Sequence, residues 1–399
     1  MRIGIIALNF HPGAMGGVET YFRTLIAQLQ HFDKCNEYVV VLPEGLKREI
    51  PIINSRFGIT ELKISWNIMD QLIQNNIFTS KMGYRSRLAC QIDDLQCDLL
   101  HFPIQVMVPY DVKTPSIVSC MDIQHEYLPQ FFTAKQLLAR RMTYKPSLFR
   151  ARHTITISDF VKDSLHEKYR MDHERMTTVH LCVNEELFSL EKSNELSLRN
   201  LPDKYLYYPA ATWPHKNHER LLCAFSSVVK QFPDISLVLS GIAVQKESHM
   251  GKLISKFNLN GKIHMLGYLK YEEIPLIYQN AYALIFPSLY EGFGIPIIEA
   301  MQSDCPVICS KGTSLPEIAG QAALYFDPLD VDDIASAVMA ILKNPEKRAD
   351  LIGKGKKNAL KFSGNKLARE TVAIYERNNC YATSFNQYHH ARFKCRKRH

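Results

Sequence analysis

Two carboxylates and a glycine-rich loop stand together in residues 288–299, which read SLYEGFGIPIIE. The apolar run Tyr282–Pro287 predicts a buried strand before them, and Pro296 favours the first turn of a following helix. Glycine N–H groups in such a loop can bind a diphosphate, helped by the positive end of the helix. Glu291 and Glu299 can therefore grip a ligand there or simply balance the helix dipole, and the spacing alone leaves both interpretations open.

A second glycine-rich loop occupies residues 11–19, which read HPGAMGGVE, after the apolar run Ile3–Leu8. Gly16 and Gly17 allow close approach of the backbone, and the following helix start offers free N–H groups to a phosphate or sugar oxygen. The loop lacks the G-x-G-x-x-G spacing of a dinucleotide-binding fingerprint. A plain tight turn explains this loop equally well.

The elements that must position these loops are short apolar runs alternating with helical stretches. Such runs are typical of parallel strands buried on both faces, and the alternation predicts βαβ units. The predicted strands are Ile3–Leu8, Tyr38–Leu42, Asp98–Phe102, Ser116–Met121 and His153–Ile157, then Tyr205–Pro209, Ile235–Ser240, Ile263–Leu266, Tyr282–Pro287 and Val307–Ser310. The sequence thus predicts an α/β protein whose ligands bind at the carboxyl ends of doubly wound sheets.

A chain of 399 residues is too long for one ordinary core and suits two domains. The stretch around 186–203 is rich in charge, Asn and Ser, so we predict the domain boundary there. The predicted organisation is an N-terminal Rossmann-like domain over 1–185, a linker over 186–203 and a C-terminal Rossmann-like domain over 204–379. An irregular basic tail covers 380–399, and the two domains are expected to face each other across a cleft.

The net charge of +8 is unevenly distributed. Residues 135–152 carry six basic side chains and no acid, and the C-terminal tail is also basic. Such a patch attracts an anionic membrane face, a phosphorylated lipid or nucleic acid, or is merely solvated. The sequence has no RNA-recognition, KH or zinc-finger pattern, so no nucleic-acid partner is predicted.

Apolar runs are too short for a membrane-spanning helix, which needs about 20 residues. The stretch Ile3–Leu8 is also shorter than a secretory signal core and lacks a cleavage site. We predict a cytoplasmic protein, with the inner membrane face as a peripheral location.

The motifs now identify a family. Glu291 and Glu299, with Gly-Phe-Gly between them, resemble the E-x7-E motif of family-4 retaining glycosyltransferases of the GT-B fold. The resemblance continues through the glycine loop at Gly16 and Gly17 and through Leu315–Gly320. It covers nearly the whole chain except the tail, and it is most specific in the second domain.

For the second domain, the resemblance implies a role for each matching residue. Glu299 would hold the ribose hydroxyls of a nucleotide, and Glu291 would face the transferred sugar. The amides of Phe293 and Gly294 would lie near the bound donor.

For the first domain, the resemblance implies that Gly16 and Gly17 approach the diphosphate. His125 matches the family's active-site histidine after the fourth predicted strand. It would position the donor sugar near its anomeric carbon.

The family neutralises the departing diphosphate with a basic pair after the first strand of the second domain. Lys216 matches the family lysine. Where many members carry arginine, this chain has Ala211 and Thr212, and we place Thr212 among the nucleotide-sugar-binding residues. His215 or an arginine from elsewhere would have to replace the missing charge.

No metal and no cofactor are predicted. The pair Asp330 and Asp332 fits the Asp-x-Asp pattern of metal-using glycosyltransferases, but it precedes an apolar helical run. It is better explained as a helix N-cap with an acid in the first turn. Lys216 and the helix starts at Gly17 and Gly294 would stabilise the leaving diphosphate instead.

The predicted function is retaining transfer of a hexosyl group, mannosyl by resemblance, from a nucleoside diphosphate sugar. The acceptor would be a hydroxyl of a glycan or a lipid-linked oligosaccharide. The chain resembles members that build bacterial surface polysaccharides, which favours GDP-mannose as donor, with a UDP-sugar as the alternative. A sugar-phosphate synthase and a catalytically silent nucleotide-sugar-binding subunit stay open, whereas the E-x7-E pattern disfavours an epimerase. A dehydrogenase is disfavoured because the dinucleotide fingerprint is missing.

Overall fold

The computed structural model describes residues 1–64, 85–188, 201–241 and 249–395. Contacts divide the chain into two compact units. The first unit comprises Met1–His180 with Gly364–His399, and the second unit comprises Leu181–Ser363. Each unit is built around its own parallel sheet covered by helices.

In the first unit, seven described strands form a sheet of order β3-β2-β1-β4-β5-β6-β7, and every neighbouring pair is parallel. The strands are β1 Arg2–Ile6, β2 Glu37–Pro43, β3 Phe57–Leu62, β4 Leu99–Phe102, β5 Ser116–Cys120, β6 His153–Thr156 and β7 Met176–Thr178. The strand order reverses between β1 and β4. Ligands of such sheets bind outside the carboxyl ends at this switch point.

The second unit repeats this plan with six described strands in the order β10-β9-β8-β11-β12-β13, again all parallel. The strands are β8 Tyr205–Pro209, β9 Ser236–Ser240, β10 Ile263–Met265, β11 Ala283–Phe286, β12 Val307–Ser310 and β13 Ala323–Phe326. Its order reverses between β8 and β11. The prediction of two Rossmann-like parallel-sheet units is confirmed.

The helices cover the sheets and follow the strands in βαβ fashion. In the first unit they are α1 Gly17–Phe32, α2 Arg87–Asp93, α3 Gln124–Tyr127, α4 Ala134–Arg150 and α5 Asp159–Tyr169. In the second unit they are α6 Glu185–Phe188, α7 His218–Gln231, α8 His249–Lys256, α9 Ile274–Asn280, α10 Ile295–Gln302, α11 Leu315–Ala319, α12 Val331–Lys343 and α13 Pro345–Ala359. The last helix is α14 Gly364–Cys395, and no described helix is long and apolar enough to cross a bilayer.

All ten predicted strands exist; the bounds of Tyr205–Pro209 and Val307–Ser310 are identical, and the others differ by one or two residues at an end. Strands β3, β7 and β13 were not predicted, and each of these lies at an edge of its sheet. Edge strands are only partly covered, and β3 and β7 accordingly mix polar and apolar residues and lack the continuous apolar run of a central strand. In β3, for example, only Phe57 is buried. Strand β13 is apolar throughout, so this reason does not apply to it.

The C-terminal part of the chain differs from the prediction. Residues 364–379 belong to the first unit rather than to the second, and the predicted irregular tail is helical as far as Cys395. A buried chain of hydrogen bonds explains the attachment: Tyr375 Oη lies 2.7 Å from His101 Nδ1, and His101 Nε2 lies 2.7 Å from Ser119 Oγ. Of the predicted linker, residues 189–200 lie outside the described residues, while α6 belongs to the second unit.

Candidate active site

A lysine and a glutamate meet at the switch point of the second unit. Lys216 lies in the loop after β8 and Glu291 in the loop after β11, and these strands are neighbours in the sheet. Lys216 Nζ lies 2.5 Å from Glu291 Oε1, and the two side chains are only 19% and 14% exposed. The structure thus brings together two predicted site residues that are far apart in sequence. The result is a cation and an acid at the edge of the sheet where ligands of doubly wound folds bind.

Hydrogen bonds hold the Lys216 loop against the loop after β11 and against its own strand β8. Leu289 N–H donates to the carbonyl of His215 at 2.8 Å, and Tyr208 Oη donates to the carbonyl of Lys216 at 2.7 Å. The buried Asn217, with φ of +61°, donates its side-chain amide to the carbonyl of Pro287 at 3.0 Å. These contacts hold the lysine in place before any ligand binds.

The glycine loop after β11 is packed into the core of the second unit. Gly294 has φ of +106°, and a Cβ built on it would lie 2.7 Å from Leu315 Cδ2. The buried Ser314 hydroxyl bonds to the carbonyls of Glu291 and Phe293 at 3.0 and 2.9 Å. The Phe293 side chain is itself buried against Phe362, so only its backbone can serve a ligand. A glycine is required at 294 for both conformation and space.

Glu299 lies in α10, the helix that begins after this loop, and its side chain is buried. Tyr278 Oη donates to Glu299 Oε2 at 2.9 Å. Burial raises the pKa of Glu299 to about 7, and the hydrogen bond from Tyr278 opposes that rise. The pKa of this carboxyl group therefore lies near neutral pH, because the charged form is poorly solvated in the buried position.

The first glycine loop lies at the carboxyl end of β1, the switch strand of the first unit. Gly16 has φ of +54°, and a Cβ on it would meet nothing within 4 Å. Gly13 N–H donates to Glu19 Oε2 at 2.7 Å, and Glu19 in turn binds Arg23 at 2.9 Å. Glu19 and Arg23 were not predicted as site residues. Their i,i+4 spacing at a helix start, an acid followed by a base, was the signal that could have identified them.

His125 follows β5, because the unpredicted strand β3 shifts the count by one. Its ring is fully buried and packs against Tyr144 at 5.1 Å between centroids. Nε2 lies 3.3 Å from Tyr169 Oη, and Nδ1 has no hydrogen-bond partner among the described residues. Burial lowers the pKa of His125 to about 4, so the ring is neutral at pH 7. The structure places this histidine inside the first unit rather than on its surface.

A glutamine that sequence reasoning missed holds the start of the loop that carries His125. Gln105, after β4, has φ of +59°, an uncommon conformation outside glycine. Its side chain accepts from Met121 N–H at 2.6 Å and donates to the carbonyl of Asp122 at 2.8 Å. Nothing in the local sequence marks this residue, since the contact joins loops after two neighbouring strands.

Two further predicted positions have simple outcomes. Thr212 is half-buried on the same loop as Lys216. Asp330 caps α12, and its carboxylate accepts N–H groups of Asp332 and Asp333 at 2.9 and 3.1 Å. The interpretation of Asp330 as an N-cap is confirmed.

Two family descriptions match the chain. "Glycosyltransferase Family 4" matches residues 15–187, and "Glycosyl transferases group 1" matches residues 191–358. The boundary between the two matches coincides with the region where the sequence predicts a linker.

Several curated relatives are similar to the chain. It is 28% identical to O-antigen chain mannosyltransferase B of Escherichia coli over 298 residues, which is 73% of this chain and 77% of that protein. It is 32% identical to O-antigen chain mannosyltransferase RfbU of Salmonella typhimurium over 230 residues. That second match covers 57% of this chain and 61% of the relative, which is less than two thirds of its length.

Solved structures share the fold at low sequence identity. Sucrose-phosphate synthase from Thermosynechococcus elongatus superposes with a TM-score of 0.74 at 18% identity, covering 96% of this chain and all of that one. HepE of Anabaena, in complex with UDP and glucose, superposes with a TM-score of 0.71 at 17% identity, covering 94% and 99%. These neighbours confirm the predicted GT-B fold class.

Proposed function

The chain belongs to the glycosyltransferases, with a Family 4 domain followed by a group 1 domain, and we propose that it is a retaining mannosyltransferase. It transfers the mannosyl group from a nucleoside diphosphate sugar to a hydroxyl of a glycan or lipid-linked oligosaccharide, without a metal. The observation that carries this proposal is the Lys216–Glu291 pair beside the packed glycine loop. The similarity to two O-antigen mannosyltransferases supports the sugar and the acceptor class.

Lys216 is proposed to stabilise the leaving diphosphate. Negative charge develops on that group as the glycosidic bond breaks, and a fixed ammonium group lowers the barrier most when it is held in place beforehand. The contacts from Tyr208 and Leu289 to the Lys216 loop supply this rigidity. The N-terminal end of α10 at Gly294 adds backbone N–H groups and a favourable dipole.

Glu291 is proposed to bind a hydroxyl of the transferred sugar. In the free protein its Oε1 pairs with Lys216, so both groups are occupied before the donor arrives. A bound diphosphate competes for the lysine and releases the carboxylate, which then accepts from the sugar. This exchange couples donor binding to assembly of the site. Glu299, in the helix α10 that follows the glycine loop, is proposed to accept hydrogen bonds from the ribose hydroxyls.

In the first unit, Gly16 and Gly17 are proposed to offer their backbone to the diphosphate, and the open space around Gly16 supports this role. His125 is proposed to act on the donor sugar. Its complete burial means that a direct contact requires the loop after β5 to move. His125→Ala is therefore expected to lower turnover. His125→Phe keeps a ring in the same place: low turnover in this variant indicates direct contact with the sugar, whereas wild-type turnover indicates that His125 only supports the loop.

GDP-mannose is the proposed donor, and the mannosyltransferase names of the relatives support it. Solved neighbours bound to UDP make a UDP-sugar the competing choice. Isothermal titration with GDP and with UDP tests the base, and transfer assays with GDP-mannose and UDP-glucose test the sugar. Tighter binding of UDP, or transfer from UDP-glucose alone, would overturn the donor. Transfer to a sugar phosphate instead of a glycan would favour the synthase alternative.

A peripheral membrane location is proposed for the basic helix α4. It exposes Leu138 and Phe149 at 60% and 41%, and the basic side chains of Lys135, Arg141 and Lys145 are exposed on the same helix. Basic residues bind anionic headgroups while apolar ones enter the interface.

Sedimentation with phosphatidylglycerol vesicles tests this surface. We expect binding at low salt that is lost toward 1 M salt, where the Debye length falls to about 3 Å. Lys135→Ala with Arg141→Ala should weaken binding, whereas Lys354→Ala with Lys357→Ala, exposed lysines of the second unit, should not. Absence of binding at every salt concentration removes the membrane proposal and leaves the transferase proposal intact.

A further inference from the structure

Tyr278 is buried beneath the second unit's site and holds one oxygen of Glu299. Its hydroxyl donates to Glu299 Oε2 at 2.9 Å, its side chain is fully buried, and Glu299 is only 6% exposed. A buried carboxylate that lacks this donor would lose a charge-assisted hydrogen bond in a site of low dielectric. The hydroxyl therefore has a strong effect on the orientation and ionisation of the carboxyl group.

The Tyr278 ring is fixed by its neighbours. It packs edge-on against Tyr207 of β8, with 4.9 Å between ring centroids and an angle of 77° between the planes. Tyr207 Oη is bonded to Ser240 of β9 at 2.7 Å. The helix that carries Tyr278 is tied to the sheet by Tyr205, whose hydroxyl donates to the carbonyl of Ile277 at 2.7 Å. The hydroxyl of Tyr278 thus reaches Glu299 from a rigid position.

We propose that Tyr278 is a positioning residue for nucleotide binding. Its hydroxyl holds the Glu299 carboxylate in the orientation and ionised form that accept ribose hydroxyls. The inference rests on the role proposed above for Glu299. It adds that nucleotide binding by Glu299 depends on the hydroxyl of Tyr278.

The charge state of Glu299 gives the proposal a distinctive readout. Burial raises the pKa of Glu299 to about 7, and the Tyr278 hydrogen bond lowers it. Desolvation raises the pKa of Tyr278 and of its neighbour Tyr271 above the ordinary tyrosine value, so neither hydroxyl titrates in the neutral range. The other titratable neighbours of Tyr278 are the buried Tyr207 and Cys305. Nucleotide binding should therefore weaken as pH falls through about 7. Removal of the Tyr278 hydroxyl should move that loss to higher pH.

The test is titration calorimetry of Tyr278→Phe with GDP and UDP across the neutral range. We expect nucleotide affinity at pH 7 to fall roughly tenfold, as for loss of a hydrogen bond to a charged group. The pH below which affinity is lost (the acid limb of the binding profile) should shift upward. The matched control is Tyr325→Phe, which removes the same atom from a half-buried tyrosine of β13 whose hydroxyl donates to the carbonyl of Gly320, away from Tyr278 and Glu299. It should leave the pH profile unchanged.

Wild-type affinity and an unmoved acid limb in Tyr278→Phe would overturn the inference, as would an equal shift in both tyrosine variants. Glu299→Gln separates this failure from failure of the proposed function. If Glu299→Gln binds GDP and UDP like wild type, the ribose role of Glu299 is wrong. If Glu299→Gln loses binding while Tyr278→Phe does not, only the role of Tyr278 is wrong. If Tyr278→Phe does not fold, the wild-type protein alone still tests the proposal. Nucleotide affinity of the wild type that does not fall as the pH drops through about 7 would refute it.

Discussion

Each unit carries a glycine turn beside its switch point, and the two turns are built in different ways. Gly294 is buried, has φ of +106°, and leaves no space for a Cβ because Leu315 lies 2.7 Å from that position. Gly16 is exposed, has φ of +54°, and has nothing within 4 Å. The same topology therefore supports one turn that is fixed by core packing and another that is held only by surface bonds.

The charged residues around the two turns also differ in burial and in the groups that they contact. In the second unit, the Lys216–Glu291 pair is largely buried and joins the loops that follow β8 and β11. In the first unit, Glu19 bonds to Gly13 and Arg23 and serves the shape of the loop itself. The second unit therefore holds its charged pair beside a packed turn, whereas the first unit exposes the backbone of its turn.

The largest expected effect is on turnover. Glu291→Ala removes the proposed sugar contact and leaves Lys216 unpaired, so we expect transfer to fall by at least about 10²-fold. Glu19→Ala, the matched carboxylate of the first unit, should lower turnover much less, because the partners of this carboxylate among the described residues are Gly13 of the loop and Arg23 of α1. Steady-state transfer assays measure both variants. A Glu291→Ala enzyme with near wild-type turnover would refute the assignment.

A smaller effect is expected on stability. Gly294→Ala combines a strained φ with a clash against Leu315, and should lower the free energy of unfolding by about 3 kcal/mol. Gly16→Ala meets only the conformational penalty, about 1 kcal/mol. Urea unfolding of the two variants gives the comparison, with each transition followed separately because the chain has two units. Equal losses would show that the turns are packed alike.

The smallest expected effect is that of a chelator. If Lys216 and the helix start at Gly294 stabilise the diphosphate, activity in EDTA should stay close to that of the untreated enzyme. Loss of activity in EDTA that manganese restores would contradict the metal-free mechanism. It would also reopen the assignment of Asp332, which lies in the first turn of α12.

Much of the second unit could be predicted from the sequence because its determinants are local. The run Tyr282–Pro287 is apolar throughout, so a buried strand follows directly, and Pro296 and the glycines mark the turn and helix that follow. The E-x7-E pattern lies within this single strand–turn–helix segment. Central strands in both units were predicted for the same reason.

Other features arise only when the chain folds. Three contacts of the candidate site join loops or helices that are separate in the sequence. They are the Lys216–Glu291 ion pair, the hydrogen bond from Tyr278 to Glu299 and the hydrogen bonds of Gln105 to the His125 loop. A one-dimensional pattern shows which residue types are present but not which of them come within 3 Å of each other. The edge strands β3 and β7 were missed for a related reason, since their partial exposure is decided by their place in the sheet.

The sequence by itself determined the two α/β units, the glycine turns and the acidic pair, because periodicity and turn chemistry are encoded over a few residues. The tertiary structure alone decided that helix α14 belongs to the first unit, since the buried bond from Tyr375 to His101 joins residues far apart in the chain. It also decided that His125 is buried and neutral, because desolvation depends on everything that packs around a ring.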